Sequence, residues 1–350
     1  MHKPEESGQQ LGELRIGADM NSDTIGAGIV TFNPDIGRLK ENIDAILPQV
    51  SELVIVDNGS ANVDEVCDMI ESYGNIYMVW NEENQGIAKA LNQIVEFAGS
   101  HKWQWVLTLD QDSVVMDGLI DNYRKYMDFD KVAMITCLFL DRNYGIQQEY
   151  EFSEEYRYAE RCITSGCLTK VAPCLETGGF DESMFIDYVD FDMCYMLKER
   201  GYKILQSSFR GVLHELGNSE RKVFLGREVI VTNHSPARRY YYSRNLVYFI
   251  RKHRGYVNAL RYYIKLYGRL GVVLLYEKNK WQKLKYGFKG IADGYKMPLP
   301  KENNEAPNFS TPGRSAIYET NFEMSSAISA FRSMKASMNS VALHFDCSFR

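Results

Sequence analysis

The chain has 350 residues, of which 45% are hydrophobic and 25% are charged, and its formal net charge is -6 at pH 7. These values exclude a disordered or fibrous chain and allow a full hydrophobic core. Seven cysteines without a CxxC pair argue against a disulfide framework and a zinc site, so we expect a reducing, cytoplasmic compartment. The first 23 residues lack the apolar core of a signal peptide.

The first third of the chain predicts alternating strands and helices. Residues 1–23 are polar and are predicted to form a flexible leader. Beyond them, apolar β-rich runs predict strands within 24–33, 52–60, 75–86 and 103–113, and helical periodicity predicts helices within 36–50, 63–74 and 87–99. Strict alternation of this kind is typical of a parallel sheet that is covered by helices on both faces.

The remainder of the chain is less regular. Tyr-rich, irregular segments run from about residue 130 to 245, and helical stretches such as YVNALRYYIKLYGRLGVVLLYEKN dominate from there to 296. The segment 251–296 carries twelve Lys or Arg against two acidic residues, although the whole chain is net negative. Four prolines between residues 298 and 312 indicate a linker.

Polar residues stand where the predicted strands end. The fourth strand ends in Asp110, Gln111 and Asp112, and the earlier strands end in Thr31, Asn33, Asp57 and Asn58. In parallel sheets, ligands bind beyond the carboxyl ends of the strands, so these residues are expected along one ligand-binding edge. A D-x-D sequence alone often only caps a helix or closes a turn. Its alternative use is to hold Mg²⁺ or Mn²⁺ on the phosphates of a nucleotide diphosphate.

Two common nucleotide-binding motifs do not occur in the sequence. There is no GxxxxGK(S/T) phosphate loop, and IGAGIV at residues 25–30 precedes a strand rather than opening a helix, so it is not a dinucleotide fingerprint. These two alternatives are therefore excluded.

Eight motifs follow one another between residues 30 and 245: VTFNP (30–34), VIVDNGS (54–60), NQGIAKALN (84–92), LTLDQDS (107–113), TSGCL (164–168), GGFDESMFIDYVDFDMCYMLKERGYKI (178–204), HELG (214–217) and HSPARRYYYSRN (234–245). In this order they resemble the family 2 glycosyltransferases with the GT-A fold. Within that family the chain is most similar to bacterial rhamnosyltransferases, mainly through LDQDS and HSPARRYYYSRN.

The resemblance implies an α/β GT-A fold of the nucleotide-diphospho-sugar transferase type, with a mostly parallel sheet covered by helices and a C-terminal helical extension. It places the catalytic domain at residues 24–245, with a nucleotide-sugar half at 24–130 and an acceptor half at 131–245. A basic helical extension at 246–298 and a linker and tail at 299–350 complete the predicted organisation.

The resemblance also implies roles for individual residues. The predicted nucleotide-sugar-binding residues are Thr31, Asn33, Asp57, Asn58, Asn84, Gly86, Asp110 and Gln111. The predicted ligands of Mg²⁺ or Mn²⁺ are Asp110, Asp112 and His214. The predicted acceptor-binding residues are Ser165, Gly166, Asp187, Tyr188 and Arg244. A cation that bridges both phosphates stabilises the charge that develops on the departing nucleotide.

Asp190 is the predicted catalytic residue. It matches the Asp of the family's Glu-Asp pair, although this sequence has Val189 at the preceding position. An inverting transfer needs a base that takes the proton from the acceptor hydroxyl, and Asp190 is predicted to be that base. Asp187 is an alternative base or an acceptor ligand. Acidic residues are also favoured in the first turn of a helix, and we expect Asp192 to act only as such a cap.

The motif HSPARRYYYSRN has two interpretations. His234 with Arg238, Arg239 and Arg244 could face phosphates of donor or acceptor, or form a solvated basic helix face. The tyrosines at 240–242 could line a sugar pocket, but aromatic residues at helical spacing are more often part of a core.

The basic segment 251–296 interleaves aromatic and aliphatic residues with its Lys and Arg, which is typical of a helix on an anionic membrane surface. We therefore expect peripheral attachment to the inner face of the cytoplasmic membrane. A dimer interface is an alternative. Nucleic acid binding is not expected, because no recognised nucleic-acid motif accompanies the charge.

The resulting functional hypothesis is an inverting, metal-dependent transfer of L-rhamnose from dTDP-L-rhamnose to a hydroxyl of a saccharide acceptor, expected to be a lipid-linked intermediate of a cell-surface polysaccharide such as O-antigen. One alternative keeps the chemistry but uses a UDP-sugar donor, namely galactofuranose, glucose or galactose. The other is a catalytically silent subunit that binds a nucleotide sugar.

Overall fold

The computed structural model describes residues 24–141, 145–146, 154–214, 220–224, 227–300 and 317–319. The predicted leader at 1–23 and most of the predicted tail at 299–350 lie outside the described residues.

The predicted alternation of strands and helices is confirmed in the first third of the chain. Its strands are β1 (Ile25–Thr31), β2 (Leu53–Asp57), β3 (Ile76–Trp80) and β4 (Trp105–Asp110), and its helices are α1 (Ile36–Ile46), α2 (Val63–Ile70) and α3 (Ile87–Ser100). The four strands are parallel and lie in the order β3-β2-β1-β4. Their carboxyl ends therefore meet at one edge of the sheet.

The central part of the chain extends this sheet with mixed strand directions. Its elements are β5 (Val114–Val115), α4 (Leu119–Arg124), β6 (Val132–Asp141), β7 (Gly145–Ile146), β8 (Tyr156–Ala159), β9 (Cys167–Lys170), α5 (Val171–Glu176), α6 (Val189–Glu199), β10 (Lys203–His214), β11 (Glu220–Phe224) and β12 (Arg227–Val231). Beyond β4 the order is β9-β6-β10-β5, in which β9 is antiparallel to both of its neighbours and β10 is parallel to β6. The hairpin β11–β12 forms a separate small sheet.

Three helices and a short strand complete the described chain: α7 (Pro236–Lys252), α8 (Ala259–Tyr276), α9 (Lys280–Lys296) and β13 (Ile317–Glu319). Strand β13 lies within the predicted tail and pairs antiparallel with β3 at the edge of the large sheet. Within the described ranges, no helix combines the length and the apolar character that crossing a bilayer would require.

Two hydrophobic cores cover the two faces of the sheet. Along β2, Val54 and Val56 face the core that contains α3, α6 and α7, whereas Leu53 and Ile55 face the core of α1 and α2. This alternation explains why the parallel strands read as continuous apolar runs, since both faces are buried.

Helix α7 belongs to the first of these cores. Its Leu246 and Phe249 are fully buried there. The predicted boundary between residues 245 and 246 therefore falls inside one unbroken helix.

Glycines set the contact between α7 and α9. Gly290 and Gly294 are buried on the face of α9 that meets α7. A Cβ at Gly290 would lie 2.3 Å from the carbonyl oxygen of Tyr240, and one at Gly294 would lie 2.4 Å from that of Arg244. The two backbones are thus in direct contact, which explains how a sequence with so few aliphatic residues on this face packs closely.

Candidate active site

Asp57 organises the ends of β1 and β2. Its buried carboxylate accepts hydrogen bonds from the Thr31 hydroxyl at 3.0 Å, from the backbone N–H groups of Gly59 and Ser60 at 3.2 and 2.9 Å, and from the Ser60 hydroxyl. A carboxylate offers about four acceptor sites, so this set nearly saturates it. Ser60 also accepts from the Asn33 backbone N–H at 2.7 Å. The structure thus brings together three predicted nucleotide-sugar residues, with Asp57 as their organiser.

Asn58 plays the same part for the next loop. Its side-chain N–H group donates to Asn84 at 3.1 Å and to the Gly86 carbonyl at 3.2 Å, and its side-chain oxygen accepts from Asn81 and from the Gln85 backbone. These contacts hold the loop after β3 against the end of β2. The predicted residues Asn58, Asn84 and Gly86 therefore form one hydrogen-bonded unit.

Hydrogen bonds from neighbouring loops hold the end of β4 in place. The backbone N–H of Asp110 donates to the Ser165 hydroxyl at 3.1 Å, and Ser165 donates to Ser113 at 2.8 Å. Gln111 accepts from the Phe32 backbone N–H at 2.8 Å, which ties it to the loop after β1. Ser165 is almost fully buried, and the Gly166 N–H donates to the Thr108 carbonyl. Ser165 and Gly166, predicted as acceptor ligands, are therefore placed where they support the D-x-D loop.

The loop before α6 touches the loop after β3. Gly86 has φ +87°, and a Cβ there would lie 2.6 Å from the carbonyl oxygen of Phe185. In the loop before α6, Phe185, Asp187 and Tyr188 have φ values of 60°, 67° and 70°, which residues other than glycine rarely adopt. The surrounding structure must stabilise this conformation.

Helix α7 supplies that stabilisation. The side-chain amide nitrogen of Asn245 lies within 3.0 Å of the carbonyl oxygens of Met184, Ile186 and Asp187. Arg244 donates to the carbonyls of Ser183 and Met184 at 2.6 and 3.1 Å. Arg244, predicted as an acceptor ligand, thus contacts the backbone of the loop that carries Asp187.

A cavity of about 430 Å³ lies between these loops and the C-terminal helices. Its volume is in the range of small-molecule sites. The lining residues come from α3, β4, the loop before β9, the loop before α6, α6 itself, α7 and α8: Ile87, Leu91, Asp110, Thr164, Ile186, Asp187, Tyr188, Val189, Asp190, Phe191, Arg238, Tyr242, Lys265 and Arg269. The cavity therefore contains the first carboxylate of the D-x-D sequence and the predicted base.

Asp190 is poised to exchange a proton near neutral pH. Burial, together with the nearby carboxylates of Asp187 and Asp110, raises the pKa of its carboxyl from 3.8 to about 7, against the lowering effect of the Phe191 backbone N–H. That N–H donates to the Asp190 carboxylate at 2.8 Å. Its position in the cavity and its pKa match what a general base requires.

Asp187 differs from Asp190 in its partners. Its carboxylate accepts a hydrogen bond from Arg238 at 3.3 Å, while its second oxygen is buried without a partner among the described residues. Burial raises the pKa of Asp187, and the charge and the hydrogen bond of Arg238 oppose this shift. Asp187 is therefore a hydrogen-bond acceptor in the cavity wall, and one of its two carboxylate oxygens already accepts from Arg238.

The basic residues of the HSPARRYYYSRN motif have separate environments. Arg238 lines the cavity, whereas Arg239 is buried and donates to Glu277 at 2.9 Å. Burial, followed by the charges of Arg238 and Arg239, lowers the pKa of His234 to about 3, so this imidazole is neutral. Tyr242 lines the cavity. Neither of the two interpretations of the motif holds for all of its members.

Two basic residues of the cavity wall were not assigned to the site from the sequence. Lys265 and Arg269 stand one helical turn apart on α8 and line the cavity beside Arg238. Lys265 and Arg238 are also exposed, so they lie where the cavity opens to solvent. In the sequence they belong to the basic segment, and their spacing on one helix was the only available indication of a shared surface.

The D-x-D residues fit a divalent cation of the Mg²⁺ type. Asp110 lines the cavity, and Asp112, two residues further along the chain, is partly exposed. Among the described residues, no three His, Cys, Asp or Glu side chains surround a common point. Mg²⁺, however, commonly takes one or two carboxylates and completes its shell with water and substrate phosphates. His214 ends β10 one residue beyond the pair Leu213–Val114, so its backbone is near Asp112; its side chain lies outside the described part of the structure.

Comparison with known proteins agrees with this geometry. Residues 27–178 match the model of glycosyl transferase family 2. The dTDP-rhamnosyl transferase RfbF of Shigella flexneri is 26% identical over 290 residues, and the match covers 79% of this chain and 96% of that protein.

Two solved structures share the fold. The crystal structure of S. aureus TarS 1–349 has a TM-score of 0.52 at 12% identity, and its complex with UDP-GlcNAc has a TM-score of 0.53 at 15% identity. Each match covers 77% of this chain and 80% of the TarS chain. At such identities the likeness concerns the fold alone. Residues 27–178 thus form a glycosyl transferase family 2 domain, and the protein is a glycosyltransferase with the GT-A fold.

Proposed function

We propose that this glycosyltransferase moves L-rhamnose from dTDP-L-rhamnose to a hydroxyl of a saccharide acceptor, with inversion at the anomeric carbon. The observation that carries the chemistry is that Asp110, at the end of β4, and Asp190 line one cavity. The donor is supported by the similarity to the dTDP-rhamnosyl transferase of Shigella flexneri, which extends over nearly all of that protein.

In the proposed reaction the acceptor oxygen attacks the anomeric carbon of the donor while its proton passes to Asp190. The new C–O bond forms as the bond to the diphosphate oxygen breaks, and the nucleoside diphosphate leaves with the electron pair. Asp190 is suited to this step because burial makes its carboxylate more basic than that of an exposed Asp. The hydrogen bond from the Phe191 N–H fixes the orientation of the carboxylate.

We assign Asp110, Asp112 and His214 as the residues that would hold Mg²⁺ or Mn²⁺ with the donor diphosphate. When bound, the ion neutralises charge on the leaving diphosphate. The contribution of the chain is to fix the loop, because Ser165 and Ser113 hold the backbone below Asp110. The register that brings the end of β10 beside this loop supports including His214.

The cavity opening supports an acceptor that carries a negative charge, such as a saccharide linked to a lipid diphosphate. Lys265 and Arg238 flank the opening and Arg269 lines the wall, and phosphate oxygens are preferred partners of such cations. Partial burial of the Lys265 side chain, together with the charges of Arg161 and Arg269, lowers the pKa of Lys265, and the two charges indicate a region of positive potential. An anion here would relieve that repulsion.

A lipid diphosphate probe tests the acceptor class. With dTDP and Mn²⁺ at saturation, we expect geranyl diphosphate to bind and geraniol not to bind, as measured by calorimetry. The double variant Lys265→Met/Arg269→Gln should weaken geranyl diphosphate binding about tenfold or more, because charge-assisted hydrogen bonds are lost. Its affinity for dTDP alone should stay within about twofold of wild type. An equal loss of dTDP affinity would instead assign these cations to the donor.

The donor is tested by calorimetric titration with dTDP-L-rhamnose, dTDP-glucose, UDP-glucose and UDP-galactose, each with and without Mn²⁺. We expect selective, Mn²⁺-dependent binding of dTDP-L-rhamnose. Asp112→Ala should weaken this binding at least about tenfold in Mn²⁺ and hardly at all without it, since even outer partners of a metal site contribute that much. Unchanged Mn²⁺ dependence in the variant would place the ion elsewhere.

The UDP-sugar donor is the second candidate. TarS, which shares the fold, has been solved in complex with UDP-GlcNAc, but that likeness concerns the fold and not the donor of this chain. Preferential binding of a UDP-sugar in the same titration would replace the rhamnosyl donor and leave the proposed base and metal residues in place. If none of the four nucleotide sugars binds, the proposed donor set is wrong.

A further inference from the structure

Helix α8 has apolar residues on two opposite faces. One face packs into the protein through Tyr262, Leu266, Leu270 and Val273, which are all buried. The other face is exposed and carries Leu260, Ile264, Tyr267, Leu274 and Leu275. Leu260 and Ile264 are 70% and 65% exposed, and these residues recur at the spacing of one helical stripe. A water-facing helix surface would normally be polar.

Helix α9 repeats this arrangement with aromatic residues. Its glycine face meets α7, while Trp281, Phe288 and Tyr295 lie seven residues apart on the opposite side and are each more than half exposed. The two helices lie side by side, because the hydroxyls of Tyr295 and Tyr263 are 2.8 Å apart and a Cβ at Gly287 would contact Leu270. We call the exposed apolar residues of α8 and α9 the C-terminal face. Exposed large apolar residues concentrated on two adjacent helices indicate an interaction site.

The charge around the C-terminal face has one sign. Eight exposed basic residues lie within and around it: Arg254, Arg261, Lys265, Lys278, Lys280, Lys285, Lys289 and Lys296. The two acidic residues of this segment are engaged inside the protein. Glu277 is buried between Arg239 and Lys283, and Asp293 accepts a hydrogen bond from Tyr240.

This charge distribution distinguishes between two partners. A symmetric contact with a second copy would place the same basic residues opposite each other without acidic partners, which is unfavourable. An anionic bilayer supplies negative headgroups for the Lys and Arg and an apolar layer for Trp281, Leu260 and their neighbours. Aromatic side chains such as Trp and Tyr are also favoured at the membrane interface.

We infer that the C-terminal face docks on an anionic lipid bilayer, with α8 and α9 lying in the interface plane. Lys265 belongs to α8 and also flanks the cavity opening, so docking would bring that opening close to the headgroups. An acceptor with its saccharide on a membrane lipid could then enter the cavity while its lipid stays in the bilayer. The docking itself does not depend on which sugar donor the cavity binds.

Vesicle flotation with the full chain tests the inference. We expect binding to vesicles of equal parts phosphatidylglycerol and phosphatidylcholine, much weaker binding to phosphatidylcholine alone, and a loss of binding as salt is raised. Lys280→Glu/Lys285→Glu should reduce the affinity at least about 25-fold, since each basic residue near an anionic surface contributes about fivefold. Trp281→Ser/Phe288→Ser should reduce it about tenfold or more, because two large side chains no longer enter the lipid.

The matched control is Tyr158→Ser, which removes an exposed aromatic residue of β8 on another part of the surface and should leave vesicle binding unchanged. Circular dichroism confirms that each variant is folded, which we expect because the changed side chains are exposed. Equal binding to neutral and anionic vesicles, or no binding to either, would overturn the inference. So would a dimer in analytical ultracentrifugation that Trp281→Ser/Phe288→Ser dissociates, because it would assign the face to a second copy.

Discussion

Asp190→Asn is expected to abolish sugar transfer while leaving donor binding intact. An amide cannot take the acceptor proton, and general bases typically contribute about 10²- to 10⁴-fold to the rate. Asn has nearly the shape of Asp and can still accept the Phe191 N–H bond, so the cavity should keep its form. Steady-state rates and donor titration together check this result: kcat should fall and the Kd of the nucleotide sugar should stay within about twofold.

The same residue predicts the pH profile of the wild-type enzyme. As a base Asp190 must be deprotonated, so kcat should rise with pH through about 7 and level off above it. The folded protein binds this proton more tightly than the unfolded chain. Its stabilising contribution is therefore complete below the unfolded pKa of 3.8 and is lost as pH rises through about 7.

Asp190→Asn removes this pH-dependent loss of folding stability, because an amide does not ionise. The variant should consequently gain thermal stability relative to wild type at pH 8 and gain little at pH 4, with an upper bound of about 4 kcal/mol at pH 8. The comparison variant is Asp187→Asn, whose carboxylate contacts Arg238 in the same cavity. It should change the acceptor KM more than kcat. If Asp187→Asn loses turnover and Asp190→Asn retains it, Asp187 is the base and our assignment is wrong.

Asp192→Ala is expected to destabilise the fold by about 3–5 kcal/mol, because it removes one member of a buried ion-pair network. The Asp192 carboxylate is fully buried and lies 2.8 Å from both Lys252 Nζ and His253 Nε2. Lys252 also contacts Asp181 at 2.8 Å, and His253 Nδ1 lies 2.7 Å from Glu199. The network joins α6, which carries the base, to the end of α7.

Urea unfolding measures this effect, with the midpoint and slope compared between variants. The control is Asp44→Ala, which breaks a pair with Lys40 whose side chains are 48% and 55% exposed, and which should cost less than about 1 kcal/mol. A loss below about 1 kcal/mol for Asp192→Ala would show that the buried network contributes no net stability. The prediction that Asp192 serves only as a helix cap was wrong. The helix begins without a side-chain cap, and the carboxylate of Asp192 points inward to α7.

The alternation of strands and helices and the polar edge were accessible from the residues alone for a physical reason. Apolar runs in β1, β2 and β4 record burial on both faces, and that pattern is local in the chain. Parallel strands place their carboxyl ends together, so Thr31, Asp57 and Asp110 could be expected at one edge. The structure adds that the side chains of Asp57 and Asn58 accept hydrogen bonds from the backbone of the loops after β2 and β3.

The same reasoning could not sort the basic residues. Arg238, Arg239 and Arg244 are close in sequence, yet one lines the cavity, one is buried against Glu277 and one contacts the carbonyls of the loop before α6. The environment of each arginine side chain depends on residues that are distant in the chain. No periodicity within α7 contains that information.

Periodicity and the polarity of strand ends are properties of short segments, and they were sufficient to predict the α/β half of the fold and a polar edge that includes the D-x-D sequence, whereas the prediction for Asp190 came from the family resemblance. The cavity is different, because it exists only where α7 and α8 pack against the loop before α6. Gly287 of α9 lies against Leu270 on the buried side of α8, and Tyr262 and Leu266 on that side join the core, so the opposite side of α8 remains exposed. These contacts join segments far apart in the chain, so the basic cavity wall and the C-terminal face arise only in the folded molecule.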